Sequence, residues 1–171
     1  MTHTSPIATK DNNRAAGVLL HPTSLPGPYG IGDLGDELLA FLDWAKKAGI
    51  HIWQVLPLNV PGYGNSPYGC LSSYAGNPLL ISPQRLLEGG LLPSNAIEEI
   101  PGSGKIDFAS VAASKDDLLR RSFAHFNEHA LEQQRESLIS FVSDNTWLPD
   151  WALYASLKQR HGGAPWTAWP A

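Results

Sequence analysis

The stretch AAGVLLHPTSLPGPYGIGDLGDELLAFLDWAKKAGIHIWQVLPL, residues 15–58, decides the fold class. Its opening run, AAGVLL, is apolar and stops at His21-Pro22, the pattern of a fully buried parallel strand. Pro22, Pro26, Pro28, Gly27, Gly30 and Gly32 then exclude a helix or a central strand. A helix follows. Asp33 is its expected cap, and Asp36 and Glu37 fall in the first turn, where carboxylates meet the positive end of the dipole. Leu34, Leu38, Phe41, Leu42 and Ala45 recur at helical spacing and form one apolar face. Lys46 and Lys47 occupy the last turn, and Gly49 ends it. HIWQVLPL, 51–58, reads as a second buried strand. Strand, helix and strand at this spacing make a βαβ unit, and the fold class is α/β. Two parallel strands cannot form a sheet with both faces covered. The expectation is therefore the opening of a larger α/β domain, with apolar strand edges and the helix face left exposed if the chain stands alone.

Working outward, residues 59–78 (NVPGYGNSPYGCLSSYAGNP) are almost all turn formers and aromatics. This loop leaves the carboxyl end of a parallel strand, where α/β folds place ligand sites. Residues 79–110 read as irregular with short helical pieces. Ser114 is the expected start of a long helix, with Asp117 as its capping-box partner. Its apolar side is carried by Leu118, Leu119, Phe123, Phe126, Leu138, Phe141 and Val142, and the polar stretch 127–137 predicts a break. Asp150 is the expected cap of a last helix that presents Trp151, Tyr154, Ala155 and Lys158 on one side and ends at Gly162-Gly163. Residues 1–13 read as a disordered leader without chemistry.

Composition narrows the function. Charged residues make up 16% of the 171, against about 25% in ordinary domains, too few for a charge-driven disordered chain. Twelve Lys and Arg against sixteen Asp and Glu leave a net charge of −4, a poor match to a phosphate backbone, so no nucleic-acid partner is expected. No stretch approaches the ~20 apolar residues of a membrane span, and no membrane partner is expected. With a polar N-terminus lacking an apolar signal core, the expected location is cytoplasmic. The single cysteine, Cys70, excludes an internal disulfide and a cysteine-based zinc site. Six tryptophans and few charges suit a protein that handles neutral ligands.

The candidate chemistry lies in the 59–78 loop. Tyr63, Tyr68 and Tyr74 sit among glycines that let the backbone approach a ligand. A tyrosine offers a flat apolar face and a hydroxyl, matching the C–H face and hydroxyl rim of a sugar ring. Ser66 and Asn77 add neutral donors and acceptors. The competing reading is a packed loop whose tyrosines bury themselves under the strand ends. His21, at the end of the first strand, is either a donor to a substrate hydroxyl or a structural hydrogen-bonder. Asp33, Asp36 and Glu37 are read as helix-start residues, not catalytic acids. GIGDLG, 30–35, lacks the spacing of a phosphate-binding loop, and His125 with His129 lacks the neighbouring Glu of a zinc-peptidase helix, so no metal site is expected. Cys70 has no base beside it in sequence and is read as a packed or bystander thiol.

GVLLHPTSLPGPYGIGDLG (17–35), WQVLPL (53–58), GYGNSPY (62–68), SSYAGNPLLIS (72–82) and WLPDWALYASLKQRHGGAPWTAWP (147–170) closely resemble, in order and interval, the N-terminal part of the 4-alpha-glucanotransferases, the amylomaltases or disproportionating enzymes of glycoside hydrolase family 77. The resemblance implies a (β/α)8 TIM barrel with inserted subdomains. Residues 14–79 would supply the start of the barrel, its first two strands and first helix, with the substrate loop at 59–78. Residues 80–171 would form a mostly helical insertion, leaving the barrel incomplete within this chain. It also implies transfer of α-1,4-glucan segments between maltooligosaccharides through a retaining double displacement, with no cofactor. Tyr68 matches the family tyrosine that stacks on the donor sugar, and Ser66 the serine of the same motif. Tyr63 matches a tyrosine lining an additional glucan contact in some members. His21 and Asn77 match strand-end and loop-shaping positions.

Two departures stand out. Gly69 occupies the place of an expected Gln, and Ala112 falls where some members carry an aromatic residue. A retaining mechanism needs two carboxyls about 5 Å apart. In the family these are an Asp of an Arg-x-Asp block and a Glu, with a second Asp holding sugar hydroxyls, and none of the sixteen acids here matches them. The expectation is an N-terminal fragment with part of the donor-sugar site and no catalytic residue, inactive alone. The alternatives are a non-catalytic glucan binder and a subunit that completes its barrel with another chain.

Overall fold

The computed structural model describes residues 14–93, 95–99 and 104–170, and the leader expected over 1–13 lies outside the described residues. Two strands, β1 (Ala16–Leu19) and β2 (Ile50–Gln54), pair in parallel, with Gly17 opposite Ile52 and Leu19 opposite Gln54. Gly17 keeps this approach loose, because a Cβ on it would lie 3.1 Å from Ile52 Cβ and 3.2 Å from Ile52 O, a tight contact. Helix α1 (Asp36–Lys47) connects the strands and carries Asp36 and Glu37 in its first turn and Lys46 and Lys47 in its last. Gly49 leaves it with φ +71°, the left-handed conformation that glycine tolerates. Phe41 of α1 meets Trp53 of β2 edge to face at 5.7 Å.

The strands are not buried as their apolar runs suggest. Leu19 is 56% exposed and Ile52 53%, and Leu34 and Leu42 of the expected helix face are also exposed, while Leu38 and Ala45 are buried. A two-stranded sheet has no further layer to cover it, as the composition of the unit predicted.

The buried interior lies elsewhere, around α3 (Phe108–His129). Val111, Lys115, Leu118 and Ser122 are its buried positions, spaced by four, three and four residues along a single stripe. Val111 packs with Ile31 and Leu79, and Leu118 with Leu92 and Ala96. Ser122 Oγ donates to Leu91 O at 3.0 Å. Helix α2 (Pro83–Glu88) precedes α3, and Arg85 from it bridges to Asp36 at 2.5 Å. Beyond α3 come α4 (Glu132–Asp144) and α5 (Leu148–Arg160), and the predicted break falls at Ala130-Leu131. Leu138, Phe141 and Val142 of α4 remain exposed. Among the described residues no helix is long and apolar enough to cross a membrane.

Three expected caps are corrected. Asp33 does not cap α1, whose N-cap is Gly35; it is 9% exposed and holds Lys115 instead. The long helix starts at Phe108, six residues before Ser114, and is capped by Asp107, whose Oδ1 accepts from Ala109 N and Ser110 N. Ile106, Phe108 and Val111 pack onto Ile31 and Leu79, which extends the helix past the local Ser-x-x-Asp signal. Asp116 and Asp117 are mid-helix partners of Arg120 and Arg121 at i+4. Asp150 lies in the first turn of α5, whose N-cap is Trp147.

Lys115 Nζ donates to Asp33 Oδ2 at 3.1 Å, Leu79 O at 2.9 Å and Ile81 O at 2.7 Å, with only 3% of its side chain exposed. Burial pushes its pKa below the ordinary lysine value, and the Asp33 charge and hydrogen bond pull the other way. Replacing Lys115 with Met leaves the Asp33 carboxylate, the buried Leu79 carbonyl and the half-buried Ile81 carbonyl without their donor. The expected loss is about 3–5 kcal/mol of stability, read by urea unfolding of the chain. A midpoint equal to wild type contradicts this account of the bridge.

Candidate functional site

The carboxyl ends of β1 and β2 open on one cleft. After β1 the chain turns through His21 into the short 3-10 turn Pro22–Ser24. Leu20 N donates to Gln54 O at 3.1 Å, and the Trp53 indole N–H donates to Leu20 O at 2.9 Å, so the turn is tied to β2. After β2 the 59–78 loop folds back on itself. Asn59 bridges antiparallel to Gly76 and Pro61 to Cys70. Gly62 N donates to Gly69 O at 2.7 Å, Leu71 N to Val60 O at 2.9 Å and Asn77 N to Leu58 O at 2.8 Å. Gly62 permits this closure, since a Cβ there would lie 2.6 Å from Gly69 O. At the tip, Gly64 and Asn65 take left-handed φ values of 69° and 55°. Cys70 Sγ contacts Pro67 O at 2.8 Å, as expected of a packed thiol.

The cleft holds about 220 Å³ and is lined by His21, Thr23, Asn59, Asn65, Asn77 and Phe108 among others. Of the residues singled out in the sequence, it brings His21 and Asn77 together. Ser66 is half-buried between two lining residues, Asn65 and Pro67. Tyr63 and Tyr68 do not line it. They project from the loop, 102% and 75% exposed, so neither is buried under the strand ends. Tyr74, at the other end, is also exposed and stacks on Trp147 at 5.7 Å.

Two cleft residues have their orientation set locally. His21 Nδ1 lies 2.7 Å from Thr23 Oγ1 and accepts from Thr23 N at 3.4 Å. An amide N–H can only donate, so a neutral His21 ring carries its proton on Nε2, the nitrogen left for another partner. Asn77 is buried, and its Oδ1 accepts from Leu79 N at 3.0 Å, capping the turn Pro78–Leu80. Asn59 Nδ2 donates to Ala75 O at 3.4 Å and holds the loop closed from inside. Asn59, Asn65 and Phe108 carry no signal in the sequence that marks them; the two asparagines fall in a loop already rich in turn formers, and Phe108 comes from α3, a segment remote in the chain that only packing brings to the cleft.

The arrangement is a neutral, amide-rich hollow beside two exposed tyrosines. It offers hydrogen bonds and flat apolar surface without charge, the chemistry of an uncharged polyhydroxyl ligand. A larger hollow of about 490 Å³ lies along α3 near Tyr29, but two of its charged residues, Lys115 and Arg121, are already paired with Asp33 and Asp117. His125 and His129 have ring centres 4.4 Å apart with no third ligand, and among the described residues no group of three or more His, Cys, Asp or Glu is placed to hold a metal.

A family model described as 4-alpha-glucanotransferase matches residues 20–171. The 4-alpha-glucanotransferase of Thermus thermophilus is 47% identical over 160 residues, covering 92% of this chain and 31% of the relative. The chloroplastic/amyloplastic 4-alpha-glucanotransferase of Solanum tuberosum is 39% identical over 166 residues, covering 94% of this chain and 29% of the relative. Among solved structures, an amylomaltase from Streptococcus agalactiae in complex with acarbose superposes with a TM-score of 0.84 at 30% identity, covering 93% of this chain and 32% of that one. The chain thus spans about a third of the length of the relatives it matches.

Asn77 tests the local architecture. Asn77→Ala removes the acceptor of the Leu79 amide at a buried position, for an expected loss of about 1–3 kcal/mol. Asn77→Asp keeps an acceptor oxygen and loses less. Thermal unfolding of the two variants checks the order, and the reverse order contradicts the assigned bond.

Proposed function

Because the chain belongs to the 4-alpha-glucanotransferase family, glycoside hydrolase family 77, we propose that the whole protein transfers α-1,4-glucan segments between maltooligosaccharides by a retaining double displacement, and that this chain supplies part of the donor-sugar wall. One observation carries the reading: the amide-lined cleft at the carboxyl ends of β1 and β2, flanked by the exposed rings of Tyr63 and Tyr68. Tyr68 stacks on the donor sugar, Ser66 hydrogen-bonds beside it, and the His21 Nε2–H donates to a hydroxyl. Asn77 shapes the loop. Tyr63 makes a further glucan contact, without an aromatic partner from position 112, where α3 carries Ala112.

In this reading β1, α1 and β2 open a (β/α)8 barrel within residues 14–79, and residues 80–171 form an inserted helical subdomain. The protein works in the cytoplasm and needs no cofactor. The carboxylate pair of the displacement comes from outside this chain. In support, Asp33, Asp36, Asp116 and Asp117 are each engaged with a lysine or arginine, and none of these four lines the cleft.

The test is Tyr68→Ala in the full-length protein, with glucose release from maltotriose as the readout. Losing the stacked ring lowers kcat/KM by about tenfold or more, and Tyr68→Phe, which keeps the ring face, retains most of it. Unchanged kinetics in Tyr68→Ala overturn the placement of the donor sugar.

A further inference from the structure

The end of α3 carries His125 and His129, one turn apart on one side of the helix. Spacing alone marks them as a solvated face, since the neighbouring Glu of a zinc-peptidase helix is missing. The ring positions say more. Their centres lie 4.4 Å apart, with 55° between the planes. Two imidazoles that each aim a nitrogen at one ion, through bonds of about 2.1 Å, hold their ring centres about 3.2 Å from it. A right angle at the ion then separates the centres by about 4.5 Å, and a tetrahedral angle by about 5.2 Å. The observed separation fits the right angle. That is the angle between adjacent positions of a square-planar or octahedral ion, such as Cu²⁺ or Ni²⁺, and not that of tetrahedral Zn²⁺.

The surroundings favour a cation. Glu128 Oε2 lies 3.6 Å from His129 Nε2, where a carboxylate holds the far side of a ligating ring and leaves Nδ1 for the ion. Apart from its contact with the His129 ring, His125 makes no hydrogen bond or ion pair among the described residues, so its nitrogens are available. The His129 side chain is 59% exposed, which lets water fill the remaining positions of the ion. The helix ends at His129, where the negative end of its dipole attracts positive charge. Arg135, from the next helix, is occupied elsewhere: its Nη2 donates to Asn127 O at 2.8 Å, and its guanidinium lies over the Phe126 ring.

We propose that His125 and His129 form a two-histidine site for a divalent transition-metal ion of right-angled geometry, Cu²⁺ or Ni²⁺, which clamps the last turn of α3. The site is separate from the cleft, and the ion takes no part in the glucan transfer proposed above. Its effect is mechanical. The helix stops at His129, and the chain breaks at Ala130-Leu131 before α4. An ion held by both rings ties residue 125 to residue 129, across the turn that opens most easily at a helix end. Binding to the folded turn alone then stabilises it.

The experiment is calorimetric titration of the chain with NiCl₂, repeated on His125→Ala and His129→Ala. Neither substitution disturbs the helix, because alanine is the best helix former. One class of site is expected that each single substitution weakens by about tenfold or more, since a chelate fails when either arm is lost. The double variant loses no more than either single one, and His51→Ala, on β2, keeps the site. Ni²⁺ also raises the thermal unfolding midpoint of the wild-type chain, and less so in both single variants. Wild-type Ni²⁺ binding in either single variant, or two partial losses that add up in the double variant, overturns the chelate. Absence of Ni²⁺ binding to the wild-type chain overturns it too, and tighter binding of Zn²⁺ than of Ni²⁺ at the pair overturns the right-angled geometry.

Discussion

The buried ammonium of Lys115 is the constraint on which the arrangement depends. Its three donors go to three acceptors on two other segments: the Asp33 carboxylate between β1 and α1, and the carbonyls of Leu79 and Ile81 just past the 59–78 loop. A buried charge is tolerated only when its donors are satisfied, so α3 has one acceptable position against these segments. Such a bridge is weak evidence for stability but strong geometry, because moving any one partner strands the others. Hydrophobic contacts follow the same stripe, with Val111 one turn before Lys115 and Leu118 one turn after it. Phe108, at the start of α3, is thereby brought to the wall of the cleft.

Most of the loop's order comes from its backbone. The amide-to-carbonyl bonds of Val60, Gly62, Leu71 and Asn77 close it without a buried aromatic anchor. That leaves Tyr63, Tyr68 and Tyr74 facing outward, where rings can stack on a ligand. The charged side chains serve the frame: Asp36 bridges to Arg85 across two helices, and Asp116 and Asp117 pair along α3. Among the described residues, the cleft at the carboxyl ends of the strands is lined by no carboxylate, lysine or arginine. This division suits an uncharged ligand, whose recognition depends on shape and neutral hydrogen bonds.

The β1–α1–β2 unit, the turn-rich loop and the break between α3 and α4 were legible from the chain alone. Strand runs, the spacing of Leu38, Phe41 and Ala45, the prolines and the glycines are local signals, and local backbone preference decides them. The family motifs were legible for the same reason, since they are contiguous blocks. Caps were read less well. Asp33, Ser114 and Asp150 each had a local signature for a helix start; Asp33 lost to its partner Lys115 and Ser114 to the packing of Phe108 and Val111, while Asp150 falls inside the first turn of α5.

The sequence by itself therefore determined the class of fold, the polar and aromatic character of the loop, and the likeness to glucan-transferring enzymes. Only the tertiary structure decided that Asp33 holds a buried lysine, that His21 and Asn77 share a cleft with Asn59, Asn65 and Phe108, and that Tyr74 of the loop stacks on Trp147. The physical reason is distance along the chain. A periodic pattern specifies which face of an element is apolar, but the partner of a buried charge and the walls of a cleft are fixed only when remote segments pack together.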